Sequence, residues 1–202
     1  MNNDLITLKN WLNTNKLSLD ALKTKCMFSA TRQEIVTLPE HPNVTIDGNP
    51  IWRSKDKCLG LEFDEGFTWD AHIAKVISKV TQVIGILRRL KSFLPRQTLI
   101  LIYIFLIQQH FDYCSSVWGN LGKGLGHKLQ QLQSRAARII TKSDHSVWSH
   151  EILSALNWPN LEERRSQHFK ILMYKTINKM VPEYLSNKFS ASSISQFKYF
   201  VK

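Results

Sequence analysis

Between residues 73 and 94 apolar side chains recur with the period of an α-helix. Ile73, Val76, Ile77, Val80, Val83, Ile84, Leu87, Leu90 and Leu94 fall on one stripe, and Lys75, Lys79, Arg88 and Lys91 lie off it. An alternating strand cannot carry that spacing, so this part of the chain is committed to one long helix laid against a core. Pro95 ends it, because proline cannot continue a helix but suits the first turn of the next. Residues 96–110 predict a second helix, apolar nearly all round and therefore central. Its unbroken apolar run, residues 99–107, is nine long. A bilayer span needs roughly 20, so a buried helix is the reading.

Upstream, the pattern differs. Leu5, Leu8, Trp11 and Leu12 have helical spacing, and residues 25–29 look extended. Two β-rich segments, 43–46 and 50–53, flank Asp47-Gly48-Asn49, and Asp-Gly between apolar runs is a hairpin signal. Residues 57–63 alternate and predict a third strand, with Gly60 as a bulge or a place of close backbone approach. Downstream, residues 119–126 hold four glycines and predict a loop. A helix follows over 127–142 with Leu129, Leu132, Ala136, Ile139 and Ile140 inward and Lys128, Arg135, Arg138 and Lys142 as its basic residues. Ser149 is placed to cap a short helix ending near Trp158-Pro159. Asn160 and Glu163 have capping-box spacing for a last long helix ending before Pro182. Residues 190–202 are Ser-rich and predict a frayed tail. The expected fold class is α+β: a small antiparallel sheet followed by an all-helical region.

Charge divides the chain at nearly the same place. Residues 1–80 carry ten basic and ten acidic side chains, whereas 81–202 carry 17 basic and 6 acidic, so the net +11 lies entirely in the second part. A surplus confined to one part suits either a solvated face or a surface for a polyanion, whose phosphates release counterions when neutralised. The three cysteines, Cys26, Cys58 and Cys114, are odd in number and far apart, which argues against a disulfide framework and against zinc. The N-terminal residues have no secretory pattern, so the cytoplasm or nucleus is expected, with no transmembrane segment.

Beyond periodicity, the residues spell an ordered set of motifs. They are Leu8-x-x-Trp11-Leu-x-x-Asn15-Lys-Leu-x-Leu19, Lys23-Thr24, and Cys58-Leu-Gly-Leu61 through Trp69-x-x-His72-Ile73. Next come Leu87-x-x-Leu90-Lys91, Asp112-Tyr113-x-x-x-Val117-Trp118-Gly119, and Leu132-Gln133-x-x-Ala136-Ala-Arg138. Leu156-x-Trp158, Leu161-x-x-Arg164-Arg165, Tyr174-Lys175-x-x-Asn178 and Pro182-x-Tyr184-Leu185 close the series. In this order and spacing, over roughly residues 5–190, the chain resembles the downstream half of non-LTR (LINE- and jockey-like) retrotransposon reverse transcriptases.

The resemblance implies a division into the end of a polymerase palm (1–69), a helical thumb with a C-terminal extension (70–189) and a flexible tail (190–202). Lys23-Thr24 falls in the family's lysine motif, where a cation offsets charge on departing pyrophosphate. Read alone, Lys23 is a surface lysine after a helix, and the family usually has Asn where this chain has Asp20. Cys58-Leu-Gly60 matches the primer-grip hairpin, whose tight turn touches the primer end. On the helices, Lys75, Lys79, Arg88, Arg89, Lys91, Arg135 and Arg138 are the candidates for phosphate contact with template–primer, RNA and DNA. Trp118, Trp158 and Tyr174 are candidate base-stacking platforms, although aromatics at such spacings are core residues more often.

The family's chemistry needs magnesium held by carboxylates, including an adjacent Asp-Asp pair expected upstream of the 8–19 helix. No Asp-Asp dipeptide occurs in this sequence, and Asp64-Glu65 follows the primer-grip match. No metal or cofactor is therefore expected in this chain, and no polymerisation by it alone. The alternatives are a truncated element copy, a stand-alone basic nucleic-acid-binding protein, and an unrelated enzyme. For the last, the pairs His145-Ser146 and Ser149-His150 come without a nucleophile elbow, phosphate loop or H-E-x-x-H helix. An amphipathic helix over 70–94 also suits a membrane surface, but its apolar neighbour favours internal packing. With the central palm strands absent, residues 1–65 are expected to expose an unpaired edge and to be prone to disorder or aggregation. Oligomeric state is not legible.

Overall fold

A computed structural model describes residues 2–20, 23–27, 32–37, 44–46, 48–51, 57–144 and 146–189. The chain is α+β and mostly helical, with two small antiparallel hairpins, and it divides into compact units at 1–74 and 75–202.

The first unit opens with α1 (Asn2–Thr14), whose Leu5 packs on the first small core. Leu8 and Trp11, on the same expected stripe, are exposed. A short helix that the sequence pattern did not announce, α2, covers Arg32–Thr37. The Asp-Gly hairpin forms, but with a tighter turn than expected. β1 (Thr45–Ile46) pairs with β2 (Asn49–Pro50) so that Ile46 faces Asn49, which leaves a two-residue connection rather than three. Gly48 takes φ +77°, the left-handed backbone that such a turn demands. The ladder is extended by Ile51 N–H donating to Val44 C=O at 2.9 Å. Val44, Ile46 and Ile51 thereby bury with Cys26 against Leu5 and Leu19. Phe28, Ser29, Asn43, Asp47, Trp52 and Arg53 of the expected extended segments lie outside the described residues.

The single strand expected over 57–63 does not exist. Instead β3 (Lys57–Cys58) folds back on β4 (Leu61–Glu62) around Leu59 and Gly60, both with positive φ, at 50° and 84°. Gly60 is thus a turn residue and not a bulge, because two successive left-handed residues reverse the chain in two steps. The two hairpins are separate sheets, and each strand has one partner.

After β4, Asp64 sets up the long helix. Its carboxylate accepts from the backbone N–H groups of Thr68 at 2.8 Å and Trp69 at 2.9 Å, one turn before α3 (Asp70–Leu90). Partial burial pushes this carboxyl up, but the Thr68 and Trp69 N–H groups and the Thr68 hydroxyl together hold it below its usual 3.8. A depressed carboxyl contributes stability that is fully present above pH 3.8 and is lost as pH falls through the lower folded-state value. Asp64→Ala is expected to cost about 1 kcal/mol at pH 7 and much less near pH 2. Urea titrations of both proteins at the two pH values check this, and an equal deficit at both would refute the role.

In the second unit the α3 stripe is buried as its spacing predicts: Val76, Val80, Ile84 and Leu87 are in the core, and the helix ends at Leu90, one turn short of Leu94. The next helix runs as α4 (Arg96–Tyr103), a π-helical turn (Ile104–Gln108) and α5 (Gln109–Asp112). Leu99, Tyr103, Ile107 and Phe111 are buried, but Leu101, Ile104, Phe105 and Leu106 are exposed. The expectation of a central helix here is corrected, because α4 lies against one close helical neighbour, which covers one face.

That neighbour is the true centre. After α6 (Ser115–Trp118), α7 (Lys123–Thr141) packs on α4, on α8 (Ser149–Ala155) and on α9 (Leu161–Ile177). Its Ser134, Ala136 and Ala137 are buried, and such small side chains let three neighbours approach. The expected glycine loop is shorter than predicted, because Gly124 and Gly126 belong to the first turns of α7. Ser149 does not cap α8: Trp148 holds the N-cap position without a side-chain bond, and the Ser149 hydroxyl accepts from Arg138 at 3.1 Å. The capping box at α9 forms as read, with Asn160 Oδ1 accepting from Glu163 N–H and Glu163 Oε2 from Asn160 N–H. α10 (Glu183–Ser186) follows Pro182. Residues 190–202, including the predicted frayed tail, lie outside the described residues, as does His145.

Candidate nucleic-acid interface

The ends of α3 and α7 enclose a cleft of about 690 Å³, lined by Arg88, Lys91, Ser92, Arg135, Arg138, Ile139, Lys142 and Ser143. Four of the seven basic candidates on the helices meet here: Arg88, Lys91, Arg135 and Arg138. Lys142 joins them and was not singled out by sequence. Its spacing was a usable signal, since Arg135, Arg138 and Lys142 stand three and four residues apart and so share one helix face. The backbone of Lys142 is left-handed, φ 55°, as the C-cap of α7. Arg138 is also a structural tie, its Nη2 donating to Val147 C=O and Ser149 Oγ, both at 3.1 Å. Among the described residues its buried Nε has no acceptor.

The other candidates lie elsewhere. Lys75 is half-buried and Lys79 exposed on α3, and Arg89 turns its Nε back to Gly85 C=O. Burial and the charge of Lys79 hold the His110 imidazole below its usual value. Gly60 sits at the tip of the second hairpin, beside an almost fully exposed Leu59. Lys23 is exposed and pairs with Asp20 at 3.3 Å. The hairpin tip and Lys23 are in the first unit, and the cleft is in the second.

Of the three candidate stacking aromatics, only Tyr174 is open to solvent. Trp118 is fully buried, its indole N–H donating to Tyr113 C=O at 2.7 Å. Trp158 is stacked on Tyr103 at 3.9 Å between ring centres, and burial pushes the Tyr103 hydroxyl up to about 12. Trp118 is a core residue and Trp158 is partly buried against the small cluster of Ala137, Ile152 and Leu153, in line with the rule that aromatics at such spacings are more often packing residues.

Within the second unit, residues of several downstream motifs bind one another. Asp112 and Arg164, far apart in sequence, form a two-pronged ion pair, Nε to Oδ1 at 2.5 Å and Nη2 to Oδ2 at 2.6 Å. The hydrogen bonds it donates to Asp112 hold the Arg164 guanidinium above its usual range. Next to it, Ser115 Oγ and His168 Nδ1 are 2.7 Å apart. Gln133, buried, joins α7 to the start of α9: its amide donates to Pro159 C=O, and its oxygen accepts from Gln130, whose own oxygen accepts from Leu161 N–H. A β-carbon on Gly119 would stand 2.2 Å from Ser115 C=O and 3.2 Å from the Arg165 side chain, so this position has no room for one. Burial around Arg165 lowers its pKa. In the first unit, Leu61, Trp69, His72 and Ile73 are all buried, with Phe63 and Phe67 against Trp69.

A carboxylate metal cage does not fit what is present. Among the described residues no three of His, Cys, Asp and Glu converge. Asp64 is engaged by backbone N–H groups, and Glu65 is buried with a partner of its own. Among the described residues, no helix is long and apolar enough to cross a membrane.

Over 169 residues the chain is 27% identical to a probable RNA-directed DNA polymerase from transposon BS of Drosophila melanogaster. The match takes in 81% of this chain and 18% of that protein's length. No family model matches the sequence. No solved structure matches it either. The chain is therefore related, at a distance, to a transposon-borne reverse transcriptase.

Proposed function

We propose that this chain is the segment of a non-LTR, LINE- or jockey-type reverse transcriptase that follows the catalytic palm strands and grips template–primer without carrying out nucleotide addition. The observation that carries the reading is the similarity to a transposon RNA-directed DNA polymerase along four-fifths of the chain. The order of the motifs from Leu8 to Leu185 supports it. Residues 1–69 are the end of the palm with its primer-grip hairpin, 70–189 the thumb and C-terminal extension, and 190–202 a tail.

In this reading each part has a physical task. The Leu59-Gly60 reversal offers a narrow backbone tip, since glycine lets another backbone come close. Lys23, exposed on its turn, is the remnant of the pyrophosphate-side cation. The basic helices neutralise phosphates and so fix the nucleic acid by a sequence-independent, salt-sensitive attraction. Magnesium belongs to the intact enzyme, and its carboxylate ligands are not among these residues. The site of action is the cytoplasm or the nucleus.

The purified chain is expected to bind an RNA–DNA hybrid with an affinity that falls at least tenfold between about 50 and 200 mM salt. Fluorescence anisotropy of a labelled hybrid measures this, and absent or salt-insensitive binding by a folded sample would overturn the reading. Primer extension by the chain alone, abolished by a chelator, would overturn the non-catalytic assignment.

A further inference from the structure

We infer that the cleft between the ends of α3 and α7 is a phosphate seat that takes successive backbone phosphates of a nucleic-acid strand without reading its bases. The inference rests on the nucleic-acid-holding function proposed above and adds its site and ligand chemistry.

The lining carries the argument. Five cations, Arg88, Lys91, Arg135, Arg138 and Lys142, face one cavity, and among the described residues no carboxylate lines it. Like charges at close range repel, and among the described residues no acidic side chain stands here to offset them. Basic residues at a helix C-terminus commonly offset the helix dipole. That explains Arg88 and Lys142, which end their helices, but not Arg135, well inside α7. The buried Arg138 Nε has no acceptor among the described residues, so this guanidinium is not fully satisfied by its ties to Val147 and Ser149.

Guanidinium groups bind phosphate oxygens with paired, parallel hydrogen bonds, and lysines add point charge. Ser92 and Ser143 also line the cleft, the Ser143 Oγ standing 2.7 Å from Thr141 Oγ1. The cleft offers no ring to stack on and no carboxamide to pair with adenine, Ile139 being its one apolar wall, and its clustered arginines and lysines, which can also meet guanine edges, match a continuous run of phosphate charge. The ligand is therefore the backbone, in either strand type and any sequence.

The test uses the full 202-residue chain. Inorganic tripolyphosphate is titrated by calorimetry, and labelled single strands, DNA duplex and RNA–DNA hybrid by anisotropy. The double variant Arg88→Glu/Lys142→Glu is compared with Lys123→Glu/Lys128→Glu, an equal charge change at exposed sites on α7 outside the cleft. The cleft variant is expected to lose at least tenfold affinity for every probe. It should also lose about two phosphate contacts from the salt slope, each worth roughly 0.7 to 0.9. The control should stay within about twofold. Lys142→Gly adds a readout that a capping role alone would not move. Glycine suits the left-handed backbone, so the thermal midpoint should not fall while affinity does.

Equal losses in both double variants would overturn the seat, as would more than tenfold preference for one base sequence. Salt-sensitive hybrid binding untouched by the cleft variant sinks this inference and leaves the polymerase reading standing. Tripolyphosphate held in the cleft, with every nucleic acid ignored, would overturn the strand-binding seat and the nucleic-acid-holding reading together.

Discussion

Replacing Trp118 with alanine is expected to lower the unfolding free energy by about 3–5 kcal/mol, enough to leave the helical unit marginal. The indole has no exposed surface, and its N–H is committed to Tyr113 C=O. Truncation therefore removes buried area, opens a cavity and strands a carbonyl at once. Trp118→Phe keeps most of the volume and loses the hydrogen bond, so its cost should be about 1–2 kcal/mol. Urea denaturation followed by circular dichroism gives both numbers. The two variants also separate packing from recognition. A ring sealed in the core cannot stack on a base, so folded Trp118→Phe should bind nucleic acid like the parent. A well-folded Trp118→Phe protein with lost affinity would return this residue to the binding surface.

The second large effect is expected at Asp112 and Arg164. Removing one member leaves the other charge three-quarters buried, since each side chain is 25% exposed. Asp112→Ala should cost about 2–3 kcal/mol, below the 3–5 typical of a fully buried pair because water still reaches the edge. Adding Arg164→Met to that background removes the stranded cation and should recover part of the loss. A double-mutant cycle is then expected to give a coupling of at least about 1 kcal/mol. Additive losses would mean the pair contributes nothing beyond its two separate side chains. The pair ties the end of α5 to α9, so the cycle also measures how firmly those helices are joined.

Local chemistry was legible where the signal was local. The Asp47-Gly48 turn, the Asn160–Glu163 capping box and the α3 stripe each depend on residues within a turn or two of one another. All three formed, the hairpin with its register closed by one residue. The strand read over 57–63 failed for a specific reason. Alternation alone does not distinguish a straight strand from one reversed at Leu59-Gly60, because leucine in left-handed backbone has no sequence signature. Of the candidate site, the basic character was legible. Periodicity separates a helix's inner face from its outer one, but not which outer faces of two helices meet.

The sequence by itself determined the α+β class, the starts of α3, α4 and α9, the neutral first part and basic second part, and the order of the motifs. Tertiary structure decided which helix is central, that Trp118 is interior and Trp158 stacks on Tyr103, that Asp112 answers Arg164, and that five cations share one cleft. The physical division is one of range. Propensity, capping and amphipathic period are set over a few neighbouring residues, whereas burial and charge pairing depend on contacts between segments tens of residues apart, which only the packed chain brings together.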